Sequence, residues 1–256
     1  MPSTIWIGNI HFAGTTVPVK LHTAVSQDRV QFHLLHSTDR VKLRQQMICA
    51  YEKKPVPAEE QVKGFNLGER KYVLIDPEEL EQAEPESSRL IEVREFARAG
   101  EIDPVFLERT YYLEPDASDK SYHALAGALK ELNAEGVCTW TMRKRSYLGA
   151  LRSTGKTLRL GVLRYADEII PAGSLGLEAG TASEKELEIG TQLIDRLTVR
   201  FQPQKYKDEH QKKLRALIEK KVRGEKITLL KPRQVKPTEG EKLLAALEES
   251  LKAAAK

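Results

Sequence analysis

The chain has 256 residues, of which 40% are hydrophobic and 30% charged, and its formal net charge is +4. This length and hydrophobic fraction support one large domain, or one domain with appendages, around a real buried core. No run approaches the ~18 apolar residues of a membrane span, and a charge of this size does not by itself imply nucleic acid.

The first half of the chain alternates apolar and polar residues in short runs that are typical of strands. Residues 5–12 and 17–21 are separated by Gly14-Thr15-Thr16, which predicts a hairpin. Asp76-Pro77-Glu78-Glu79 supplies an N-cap, a proline at the first helical position and a glutamate at the third, so it predicts a short helix. Further strands are predicted at residues 31–35, 40–50, 71–75, 90–93 and 110–113.

The middle of the chain predicts one helix and a meander of three strands. Apolar residues share one face over residues 121–132, and Gly136 is expected to end that helix. Strands follow at residues 137–142, 146–152 and 157–164.

The last third is predicted to be helical. Helices are expected at residues 183–197 and 203–222, the second ended by Gly224. A stiff basic linker at 231–237 leads to a small amphipathic helix at 239–254. We find no internal repeat in the sequence. This order of elements predicts an antiparallel barrel or sandwich with a helical C-terminal arm.

Basic residues are concentrated where acidic residues are missing. Residues 137–166 contain seven Lys or Arg and no Asp or Glu. Such a stretch is typical of a surface that faces phosphates, because each phosphate neutralised by a cation releases counterions. A solvated basic face is the alternative. Residues 204–236 carry twelve basic and four acidic residues, and there the outer face of an amphipathic helix and a non-specific DNA contact both stay open.

Motifs for chemistry are incomplete. Ser153–Thr157 resembles the end of a phosphate-binding loop, but Ala150 stands where that loop needs glycine, so a hairpin turn is predicted. His33, His36 and Cys49 lack a fourth zinc ligand, and Cys138 is interpreted as a small core residue. We therefore expect neither catalytic residues nor a metal or other cofactor. With two distant cysteines and no signal-peptide pattern, we expect a cytoplasmic protein.

Several segments, taken in order, resemble the bacterial Ku family from about residue 5 to residue 227. The most specific are Pro85-Glu86-Ser87-Ser88-Arg89 and Leu163-Arg164-Tyr165-Ala166-Asp167-Glu168. The others are residues 5–12, 17–21, 32–36, 62–65, 102–104 and 111–113.

The resemblance implies an α+β fold, mainly antiparallel β: a Ku-like, seven-stranded type of β-barrel with a strand bridge at residues 1–182. It also implies a helical dimerisation arm at 183–230, followed by the linker and short helix at 231–256. Members of the family form a homodimeric ring that threads onto double-stranded DNA ends. They recruit an ATP-dependent ligase, ligase D, for non-homologous end joining, and the family core is not an enzyme. Such a protein is expected at the nucleoid.

The resemblance also gives a candidate DNA surface. In the family, bridge strands line the DNA channel and correspond to about residues 29–54, while Arg143–Arg145 match a basic turn that faces DNA. Many members carry cysteines around positions 39–52, of which this chain keeps only Cys49, so no metal is expected. The predicted DNA-binding residues are Lys20, Arg29, Arg40, Lys42, Arg44, Lys53, Lys54, Arg143, Lys144, Arg145, Arg152 and Lys156.

Two other functions stay open as alternatives. A nucleic-acid-binding barrel without end specificity would stack bases on aromatic side chains, but aromatic residues make up only 6% of this chain. A metal-dependent DNA-processing enzyme would need a carboxylate cluster held in a cleft, and the sequence offers no convincing one.

Overall fold

A computed structural model describes residues 3–26, 28–69, 71–86, 88–116, 119–177, 180 and 182–224. The predicted linker at 231–237 and helix at 239–254 lie outside these residues. The chain divides into two compact units, one of Met1–Gln27 with His33–Ala172 and the other of Asp28–Phe32 with Gly173–Lys256. The domain boundaries after residues 182 and 230 stay predictions.

The described residues form nine strands and four α-helices. The strands are β1 (Thr4–Phe12), β2 (Thr15–Thr23), β3 (Lys63–Gly68), β4 (Lys71–Ile75), β5 (Leu90–Arg98), β6 (Leu107–Pro115), β7 (Ala134–Met142), β8 (Arg145–Ser153) and β9 (Leu158–Leu163). The helices are α1 (Pro77–Gln82), α2 (Asp119–Glu131), α3 (Glu184–Leu197) and α4 (Glu209–Val222). None of these helices is long and apolar enough to cross a membrane.

Seven of the strands close into a barrel in the order β1-β2-β6-β9-β8-β7-β5. All neighbours are antiparallel except β1 and β5, whose parallel pairing closes the barrel. The predicted mainly antiparallel barrel is therefore confirmed. Strands β3 and β4 form a separate two-stranded sheet with no buried residue.

The core fills the barrel and extends beneath α2. Ile10, Leu21 and Leu160 are fully buried inside it. Cys138 lies there too, and burial raises the pKa of its thiol to about 12, as expected for an inert core residue. Tyr122 of α2 donates its hydroxyl to the Leu113 carbonyl at 2.6 Å and accepts from the Leu158 amide at 2.8 Å, so it bridges β6 and β9.

Two sequence-based expectations are wrong because tertiary context overrides local pattern. The segments 31–35 and 40–50 are not strands; the chain there is exposed and has only isolated bridges, Leu35 to Lys42 and Ile48 to Pro55. Gly136 does not end a helix: α2 ends at Glu131, and Gly136 lies within β7. There, an added Cβ would come within 3.1 Å of a Val93 methyl group.

Residues 34–56 contain a backbone repeat that the sequence does not reveal. The His36 and Arg40 amides donate to Val41 and His36 carbonyls at 2.8 and 2.9 Å. Thirteen residues later, the Cys49 and Lys53 amides donate to Lys54 and Cys49 carbonyls, both at 2.9 Å. We call residues 36–41 the first turn and residues 49–54 the second turn. Each turn is enclosed by one more hydrogen bond: the Leu43 amide donates to the Leu34 carbonyl, and the Val56 amide donates to the Met47 carbonyl, both at 2.9 Å.

Candidate nucleic-acid interface

The turn between β7 and β8 exposes two adjacent cations. Arg143 and Lys144 have φ of 50° and 63°, so both central residues are left-handed, as a type I′ hairpin turn requires. Asn-Gly is the preferred sequence for such a turn, and left-handed arginine or lysine costs about 1 kcal/mol per residue. The chain therefore keeps two cations at this tip at some cost in stability.

The same conformation recurs at other predicted DNA-binding residues. Arg40 in the first turn and Lys53 in the second turn have φ of 62° and 60°. Seven described non-glycine residues have positive φ, and four of them are these two together with Arg143 and Lys144. Backbone strain that persists on the surface is an observation from which a functional role can be inferred. The left-handed cations therefore mark the strongest candidates among the predicted residues.

Further exposed cations lie on residues 36–54, in the compact unit that contains the barrel, which we call the barrel unit. Lys42 and Arg44 follow the first turn and Lys54 closes the second turn, and all three are exposed. The turns are held by backbone hydrogen bonds, and Asp39 Oδ1 also accepts from the Val41 amide at 3.0 Å. Exposed cations on short, hydrogen-bonded turns are suited to phosphate contacts, which carry no sequence information.

A cleft of about 760 Å³ lies beside the β7–β8 turn. Glu84 lines it and pairs with Lys144 through Oε2 and Nζ, 2.9 Å apart. This hydrogen bond raises the pKa of Lys144, so the ammonium stays charged. Arg143 and Arg89 line the same cleft. Glu84 could not be predicted as a partner from the sequence, because it follows α1 and lies about 60 residues before the β7–β8 turn in the chain.

Besides Lys144, two further predicted DNA-binding residues have carboxylate partners within the barrel unit. Lys20 Nζ lies 2.6 Å from Asp116 Oδ1, whose hydrogen bond raises the pKa of the lysine. Arg152 Nε lies 2.9 Å from Oε2 of Glu135, a carboxylate that is only 6% exposed. The two atoms form an ion pair, but their geometry is not that of a hydrogen bond. Arg152 therefore neutralises a buried charge.

The acid-free segment 137–166 does not form the single basic face that its composition predicts. Lys156 lies in the turn between β8 and β9, at the other end of β8 from Arg145, so roughly 30 Å of strand separates them. Arg159 packs over the Tyr112 ring, 5.7 Å from its centroid, and Arg164 donates to the carbonyls of Val105 and Leu107, both at 2.9 Å. The turn predicted for residues 153–157 is confirmed.

Arg29 belongs to the second compact unit. The neighbouring Val30 amide donates to Gln211 Oε1 of α4 at 2.8 Å, and Arg215 of α4 pairs with Asp28 Oδ1 at 2.6 Å. Arg29 itself is exposed. These contacts hold the segment Asp28–Phe32 on α4, which local sequence patterns could not predict.

Metal-binding clusters are not found among the described residues, where no three His, Cys, Asp or Glu side chains come together as ligands. His36 Nδ1 instead contacts Asp39 Oδ1 at 3.0 Å within the first turn.

A closed seven-stranded barrel with cationic turns defines the class of this molecule, a basic β-barrel protein. The family described as the Ku70/Ku80 beta-barrel domain matches residues 11–189. The chain is 65% identical over 249 residues to non-homologous end joining protein Ku 2 of Geotalea uraniireducens (strain Rf4), covering 97% of both chains. It is 39% identical over 230 residues to non-homologous end joining protein Ku of Anaeromyxobacter sp. (strain K), covering 89% of this chain and 78% of that one. The chain belongs to the Ku family.

Proposed function

We propose that this chain is a homodimeric protein that binds the ends of double-stranded DNA, threads onto them and recruits an ATP-dependent ligase, ligase D, for non-homologous end joining. The observation that carries the proposal is the set of left-handed cations Arg40, Lys53, Arg143 and Lys144 on exposed turns of the barrel unit. The names of its relatives support the repair role. The protein would act at the nucleoid without catalysing a reaction itself.

Phosphate contacts suit this role because breaks occur at any sequence. A protein that binds ends cannot depend on base edges, so affinity has to come from the sugar-phosphate backbone. Preference for ends would then come from topology, since a closed ring can load only where the duplex stops. Exposed Lys42, Arg44 and Lys54 would add phosphate contacts to those of the four left-handed cations.

Apolar surface supports the proposed dimer. Phe65 and Leu74 of the β3–β4 sheet are 62% and 64% exposed, and Ile194 of α3 is 70% exposed. An isolated two-stranded sheet is marginally stable in water, so a second copy that covers it would stabilise it through an isologous interface. Light scattering at micromolar concentration should give twice the 28.9 kDa chain mass. A monomer would contradict the dimer.

The end-binding proposal is tested with one plasmid in two forms, supercoiled and linearised. Binding is measured over a salt series, because phosphate contacts make affinity fall with salt. We expect strong preference for the linear plasmid at every salt concentration. Equal binding to both forms would instead favour a basic barrel without end specificity.

A further inference from the structure

The second turn presents an aromatic side chain that the first turn lacks. The thirteen-residue repeat places Tyr51 at the position of Thr38. Tyr51 is 93% exposed, more than any other large hydrophobic residue described. Hydrogen bonds of 2.9 Å from Cys49 to Lys54 and from Lys53 to Cys49 close the turn around it. The tip is therefore fixed by the backbone, and the ring projects from it.

Two cations follow this ring in the turn, after the exposed Glu52, so the three side chains together carry a net positive charge. Lys53, with φ of 60°, and Lys54 end the same turn, and both are exposed. An exposed tyrosine loses few rotamers when it becomes buried and offers a large apolar surface with a polar tip. A partner for this tip would therefore be negatively charged beside an apolar surface. The backbone of a DNA duplex, with phosphates next to deoxyribose, has this chemistry.

We infer that Tyr51 is a DNA-contacting residue whose ring packs on deoxyribose and whose hydroxyl donates to a phosphate, beside phosphates held by Lys53 and Lys54. This inference rests on the proposed function. A sugar contact is favoured over base stacking because base faces are covered within a duplex, and stacking would need unpaired bases. Tyrosine hydroxyls are among the groups that contact phosphates in protein–DNA complexes. The contact is independent of sequence, as end binding requires.

Substitution of Tyr51 distinguishes the contribution of its side chain to DNA affinity from that of the neighbouring cations. Tyr51→Ser in the full chain, which loses both the ring and its phosphate bond, should weaken binding to a blunt duplex about tenfold. Tyr51→Phe, which keeps the ring and loses only the hydroxyl bond, should weaken it about threefold. The slope of log affinity against log salt should stay unchanged for both, because no cation is removed. Thr38→Ser, at the equivalent position of the first turn, is the matched control and should bind as the unmodified chain does.

Photo-crosslinking identifies what the ring touches. Benzoylphenylalanine replaces Tyr51 in the full chain, which is bound to a labelled blunt duplex and irradiated. The same group at Ala124, exposed on α2, is the control. Crosslinks to DNA from position 51 but not from 124 are expected. Crosslinks to protein alone, or Tyr51→Ser binding with full affinity, would overturn the inference while the unmodified chain still bound ends. Failure of the unmodified chain to bind duplex DNA would instead refute the proposed function.

Discussion

At the scale of single residues, the β7–β8 turn places cations at backbone positions that favour asparagine and glycine. Arg143 and Lys144 are left-handed, and so is Ala13, which forms the β1–β2 turn with Gly14 at φ of 43° and 78°. Both hairpins thus use two central residues of positive φ, but only one carries cations. The two turns allow a comparison between a turn that carries cations and a turn of the same conformation that carries none.

Replacing Arg143→Asn together with Lys144→Gly should stabilise the protein and weaken DNA binding. The preferred Asn-Gly turn removes left-handed strain, so the free energy of unfolding should rise by about 1 kcal/mol. The magnitude of the salt slope should fall by about 0.9 for each phosphate that is no longer neutralised. Urea unfolding and DNA titration measure the two effects. Ala13→Asn, which creates the same Asn-Gly pair in the β1–β2 turn, should stabilise the protein and leave DNA affinity unchanged; an equal decrease in DNA affinity there would refute the charge argument.

Arg152 shows that a cation predicted to bind DNA can also have a partner within the fold; its DNA contact stays a prediction. Its position in the acid-free segment predicted phosphate binding, but its guanidinium lies 2.9 Å from the buried Glu135 carboxylate. Glu135 precedes that segment, so its proximity follows from the pairing of Gly136 with Leu151 across β7 and β8. Local charge counting cannot identify a partner that only strand register brings near.

Arg152→Gln should destabilise the fold by about 3 kcal/mol, because it leaves a buried carboxylate without its counter-charge. The double variant Arg152→Gln with Glu135→Gln should recover most of that stability. Unfolding by urea measures both. If Arg152→Gln left the unfolding free energy unchanged and lowered DNA affinity, Arg152 would be a DNA contact and the assignment to the fold would fail.

At the scale of elements, regular patterns were predictable and tertiary pairing was not. Helix α3 begins after Ser183, which accepts from the Glu186 amide. Gly224 follows α4 with φ of 76°, as expected for the glycine that ends this helix. Helix α4 begins at Glu209 instead of residue 203 because residues 203–205 form a separate 3-10 turn. In β1 the alternation predicts a strand but does not show which of its two faces is buried. Ile7 is 48% exposed, whereas Ile10 on the other face is fully buried.

The repeated turns of residues 34–56 illustrate the limit of prediction from side-chain pattern. Their apolar residues, including Leu34 and Met47 at 74% and 68% exposure, suggested strands. The chain instead closes two equivalent turns through backbone hydrogen bonds. Backbone bonding of this kind leaves little trace in side-chain identity, since the equivalent positions hold His36 and Cys49, or Thr38 and Tyr51.

At the scale of the whole molecule, the proposed function combines phosphate binding by turn cations with loading at ends. Net charge is only +4, so general attraction to DNA is weak and preference for ends has to come from topology. The proposed ring has a consequence that a basic surface does not share. Once both ends of a loaded duplex are blocked, a closed ring cannot leave, whereas a surface-bound protein dissociates when its phosphate contacts are screened by salt.

The most direct measurement is therefore retention on a linear duplex after both ends are capped with bulky protein blocks. The chain is loaded first, the ends are closed, and salt is raised together with excess competitor DNA. The ring proposal predicts that bound protein stays on the capped duplex and leaves when one end is reopened by cleavage. Release at the same rate from capped and open duplexes would contradict it.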